Sequence, residues 1–72
     1  MPPHVLHLCR ELETHVLART GRRVRGLAIQ VNPDGVVLQG QVATYHLKQL
    51  AQHGVRDLLP DVPLENAIVV GV

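Results

Sequence analysis

With 72 residues the chain has room for one domain, and with a single Tyr and no Trp or Phe its core must be built from Leu, Val, Ile and Ala. A hydrophobic content of 46% excludes a disordered chain, and a net charge of +1 excludes a strong general affinity for polyanions. One cysteine excludes an internal disulfide.

Five histidines qualify the charge, because ordinary imidazoles would make the domain more cationic below about pH 6. The opening MPPHVLHLCRELETH has no charged segment leading into a continuous apolar one, so it does not read as a signal peptide. No apolar run approaches the roughly 18 residues of a transmembrane helix. A cytoplasmic location is therefore expected, or an envelope-associated one if the chain is a fragment of a larger exported protein.

Pro2 and Pro3 suit the first turn of a helix, where the missing N–H is not needed. Val5, Leu8, Cys9, Leu12 and Val16 then recur at helical spacing, widened by Leu6 and Leu17, which predicts a helix over residues 4–19. Gly21 fits the left-handed position just past its end. Residues 23–31 alternate, with Leu27, Ile29 and Val31 on one side and Gly26, Ala28 and Gln30 on the other. Asn32-Pro33-Asp34-Gly35 then carries the residues of a tight reversal. Val36, Leu38, Gly40 and Val42 alternate in turn with Val37, Gln39 and Gln41, so residues 31–42 form the core of a β-hairpin.

Thr44 is placed to cap a second helix. Leu47, Leu50, Ala51, Gly54, Val55 and Leu58 make its apolar face, and Lys48, Gln49, Gln52, His53, Arg56 and Asp57 its polar one. Gly54, on the apolar face, points to a close backbone approach. Pro60 and Pro63 end the helix, and residues 64–72 read as one last strand with Leu64, Ile68, Val70 and Val72 of one parity. The order α-β-β-α-β predicts a single α+β domain over residues 1–72, a two-layer sandwich with both helices on one face of a three-stranded mixed sheet. A right-handed crossover makes strands two and three parallel. Whether they are neighbours is left open by the sequence.

In this order the pattern resembles the BON domain, a small bacterial α-β-β-α-β module. Asp34-Gly35 stands at its turn, and Val36, Leu38, Gly40 and Val42 match its V-x-L-x-G-x-V strand. Residues 47–58 stand where its helix stands, and Leu64, Asn66, Ile68 and Val70 follow its closing strand with Leu for the first Val. The likeness covers about residues 27–72. It implies a non-catalytic binding module of the cell envelope that contacts phospholipid or membrane surfaces.

Arg19, Arg22, Arg23 and Arg25 hold four of the seven Lys and Arg side chains. Their plainer role is to complement the helix dipole. Their functional reading is an anionic phospholipid contact, at about 1 kcal/mol for each cation near a charged surface. Nucleic acid is disfavoured, because no aromatic residues interleave with the arginines to stack bases. His4, His7, Glu11 and His15 share a helix face that zinc could use, but the spacing matches no known signature, and a solvated polar face is the better reading. His46 and His53 read the same way.

Cys9 reads as a small core residue. The chain has no Ser and its acids are scattered, so no enzyme, cofactor or metal is expected. The outer sheet face should present Gly26, Ala28, Val37, Gln39, Gln41, Ala67, Val69 and Gly71, without charge. Ala28, Val37, Gln39, Gln41 and Val69 are the candidate contacts there for a protein partner or a second copy, with strand addition at an exposed edge as the other route.

Overall fold

The computed structural model describes the backbone of residues 3–71 and the side chains of residues 7–71. Helix α1 spans Pro3–Arg19, strands β1 and β2 span Arg25–Asn32 and Gly35–Val42, and helix α2 spans Tyr45–Leu58. Two short strands close the chain, β3 (Leu64–Asn66) and β4 (Val69–Val70). The architecture is α+β, with β2 at the centre of a mixed sheet. On one side β2 pairs antiparallel with β1, and on the other it pairs parallel with β3 and then β4. The parallel pairing agrees with the expected crossover and fixes the strand order that the sequence left open.

Local chemistry explains the ends of the elements. After α1, the Arg22 N–H bonds the Leu17 carbonyl at 2.8 Å and the Gly21 N–H bonds the Ala18 carbonyl at 3.4 Å. This is a Schellman termination, with Gly21 left-handed at φ +63°. At the start of α2 the Thr44 side chain accepts the Leu47 N–H at 3.2 Å. Thr44→Ala is expected to cost about 1 kcal/mol, read by circular dichroism as a fall of about 4–8 °C in Tm for a domain of this size. An unchanged Tm would show that the cap contributes nothing.

The core joins both layers: Leu12 and Val16 from α1, Val36, Leu38 and Val42 from β2, Leu47, Ala51 and Val55 from α2, with Val24 and Ile68. Leu8, Leu27, Ile29, Val31, Leu50 and Leu64 are half-buried around it. The two helices meet at Gly54, where an added Cβ would lie 3.1 Å from the Val16 Cα. The close approach expected at Gly54 is therefore present. Val5 and Leu6 have side chains outside the described residues.

Three expectations need correction. First, the alternation of β1 does not run unbroken. Its register shifts between Arg25 and Ala28, because Gly26 and Leu27 together oppose the single residue Gly40. That bulge turns Val24 into the core and pairs Arg25 with Gln41. Second, residues 64–71 do not form one strand, and Val72, expected inward, lies outside the described residues. The Asn66 amide donates to the Lys48 carbonyl at 3.1 Å and to Gln52 Oε1 at 3.3 Å, while its oxygen accepts the Ile68 N–H at 3.2 Å. A side chain that bonds its own backbone two residues on competes with the ladder, and the strand breaks at Ala67 and Ile68. Val70, expected inward, is 40% exposed. Third, Leu58 lies at the exposed rim of α2 and not on its buried stripe.

Candidate functional site: an arginine-lined groove at one end of the sheet

Arg22 follows Gly21 in the left-handed region, at φ +60°. Two such residues in succession reverse the chain sharply, and β1 begins three residues later at Arg25. The reversal leads to the end of the sheet where β2 hands over to α2 through Ala43 and Thr44. Arg22, Arg23 and Arg25 line a groove of about 710 Å³ there, with Gln41, Val42, Ala43, Thr44, His46, Leu47 and Gly71. The N-terminus of α2 opens into the same groove, and its orphan N–H groups add partial positive charge. The Thr44 hydroxyl is committed to its cap. What the groove offers is a set of fork-shaped cationic donors suited to phosphate or carboxylate oxygens.

Three exposed apolar side chains are neighbours, in the chain or across the sheet, of residues that line the groove. Tyr45, between two lining residues, is 63% exposed. Val69, paired with Gln41, is 61% exposed, and Val70 pairs with Val42. No feature of the sequence near Tyr45 singled it out, because its importance comes from a neighbourhood assembled by β2, β4 and the first turn of α2.

Arg19 does not join the other three. Its Nε lies 3.1 Å from Asp57 Oδ2 on α2, and the same carboxylate oxygen lies 2.9 Å from His15 Nε2. Asp57 thus ties α1 to α2 on their solvent side. The hydrogen bond from His15 holds its carboxyl below the ordinary range, helped by the charge of Arg19. A depressed carboxylate stabilises the fold above its unfolded pKa and loses that contribution as pH falls through the folded value.

The proposed histidine row is also divided. His7 pairs with Glu11 at 2.9 Å, His15 is held by Asp57, and the His4 side chain lies outside the described residues. Among the described residues, no three His, Cys, Asp or Glu side chains gather as metal ligands. Cys9 is half-buried.

The outer sheet face forms three cross-strand rows. Gln30, Val37 and Glu65 make one, Ala28 and Gln39 the next, and Arg25, Gln41 and Val69 the third. Ala28, Gln39, Gln41 and Val69 are exposed and Val37 is half-buried. The expectation of an uncharged face is corrected by Arg25 and Glu65, which the bulge and the parallel register place at its two ends. Near the hairpin a smaller cleft of about 280 Å³ carries Asp34 and Glu65. The arginine groove and this cleft thus lie at opposite ends of β2.

No family model, curated protein or solved structure matches this chain. No helix among the described residues is long and apolar enough to cross a membrane.

Proposed function

We propose that this chain is a non-catalytic binding module of BON-like organisation that contacts anionic phospholipid through the groove at its basic end. The observation that carries the reading is the convergence of Arg22, Arg23 and Arg25 on one groove, with the exposed side chains of Tyr45 and Val69 next in the chain or across the sheet from the lining residues His46 and Gln41. Arginine forks bind phosphoryl oxygens in pairs, while a tyrosine ring and aliphatic side chains suit the boundary between headgroups and acyl chains. Arg19, engaged by Asp57, contributes only long-range charge.

Vesicle co-sedimentation tests the proposal. The chain is expected to bind vesicles rich in phosphatidylglycerol and not those of phosphatidylcholine alone, with binding that weakens as salt rises. Replacing both Arg22 and Arg23 with Ala should lower partitioning about thirtyfold, the equivalent of about 2 kcal/mol for two surface cations. Arg19→Ala should change it far less. Equal indifference to both vesicle types at low salt ends the reading, as does equal loss from Arg19→Ala and from the double variant.

A further inference from the structure

The two edges of the sheet are unlike. The β3–β4 edge is protected: its strands have three and two residues, it is interrupted by the Asn66 turn, and it carries Glu65. Short, broken and charged edges resist pairing with another chain. The β1 edge has none of this protection between its bulge at Gly26 and Pro33. Past the bulge formed by Gly26 and Leu27, residues 28–31 read Ala-Ile-Gln-Val, without charge, proline or irregularity.

The direction of the backbone groups along β1 follows from the bonds of β2. The Val36 N–H bonds the Pro63 carbonyl at 2.9 Å, and the Leu38 and Val42 carbonyls accept from Ala67 and Gly71 at 2.8 and 2.9 Å. Backbone polar groups alternate sides residue by residue, so those of Val37 and Gln39 point to β1. Their partners there are Gln30 and Ala28. The N–H and C=O groups of Ile29 and Val31 consequently point out of the sheet. The side chains of these same residues lie on the helix face but stay half-buried, as does Leu27. Open backbone groups and incompletely covered aliphatic side chains therefore coincide on one short segment.

We propose that this edge pairs antiparallel with β1 of a second copy of the chain, about a two-fold axis through Ile29. Parity limits the register to even shifts, and centring the pair on Ile29 overlaps all three half-buried helix-face residues of the edge. Leu27 of one copy opposes Val31 of the other and Ile29 opposes itself, so helix-face residues meet helix-face residues. A shift by one residue would set Leu27 against Gln30 and mix the two faces. Charge agrees with this arrangement, because the antiparallel pairing brings the Arg25 end of one strand beside the partner's hairpin, which carries Asp34. Both copies keep their helices on the same side of one continuous sheet, and the interface is isologous.

The test uses the full chain without lipid. Sedimentation equilibrium should show the mean mass rising toward that of two chains as concentration enters the millimolar range. In a mixture of isotope-labelled and unlabelled chains, filtered nuclear Overhauser spectra should connect Leu27 of one copy with Val31 of the other. The amides of Ile29 and Val31 should exchange more slowly in the concentrated sample. A chain made with an N-methylated amide at Ile29, which keeps every side chain, should remain monomeric. The variant with Arg22 and Arg23 both replaced by Ala should still dimerise, which separates this proposal from the lipid reading. A strict monomer at millimolar concentration overturns it. So does a dimer whose intermolecular contacts come from Val37, Gln39 or the helices, and if the methylated chain fails to fold, those spectra of the unmodified chain decide alone.

Discussion

Leu38→Ala is expected to be the most damaging single change among these tests, costing about 2–5 kcal/mol. Leu38 is fully buried at the middle of the central strand, opposite Ile29 on one side and Asn66 on the other. Both helices lie over the core it belongs to, so truncation leaves a void that neither layer can close without moving against the other. A domain of this length has about 4–11 kcal/mol of total stability. The variant should therefore lose a large share of its urea midpoint, or fail to fold at physiological temperature. Gln39→Ala, one residue on and facing the other way, should stay within about 0.5 kcal/mol of the parent. A Leu38→Ala loss below about 1 kcal/mol would mean that the centre of the core lies elsewhere.

Gly54→Val is the second large effect, a destabilisation of about 1–3 kcal/mol by overpacking. The Cβ alone would lie 3.1 Å from the Val16 Cα and 3.2 Å from its Cγ2, and valine adds two further methyl carbons to it. The obstacle is backbone, which cannot rotate away. Helix propensity pulls weakly the other way, since Gly is only a few tenths of a kcal/mol worse than the β-branched Val in a helix interior, and packing must outweigh that for the sign to hold. Denaturant unfolding measures the sign directly. A more stable valine variant would show that the helices can separate by a few tenths of an ångström at little cost.

What was legible in the sequence was local. The turn at Pro33 and Asp34, the Thr44 cap and the Gly21 termination each depend on residues a few positions apart, where side-chain chemistry acts on its own backbone. The parallel crossover was legible too, because chirality leaves one hand for it. The misses were long-range. The bulge at Gly26 is defined by its partner Gly40 across the hairpin, and alternation alone cannot see it. Asn66 breaks the last strand by accepting the Ile68 N–H, and it is held there by donating to the Lys48 carbonyl and the Gln52 amide oxygen on α2, 18 and 14 positions away in sequence. Arg19 leaves the arginine cluster for Asp57, a residue that is adjacent only after the helices have packed. The candidate groove was half legible for the same reason: its arginines are close in sequence, but Gln41, His46 and Gly71 join them only through the fold.

The exposed ring of Tyr45 has an optical consequence. It is the chain's only aromatic side chain, and it stands outside the core. Global unfolding moves it from one aqueous setting to another, so its emission and near-ultraviolet dichroism are poor witnesses of the folding transition. A lipid surface or ligand arriving at the groove changes the surroundings of that same ring. If the proposed lipid contact holds, Tyr45 fluorescence is expected to respond to vesicles while staying nearly silent on unfolding.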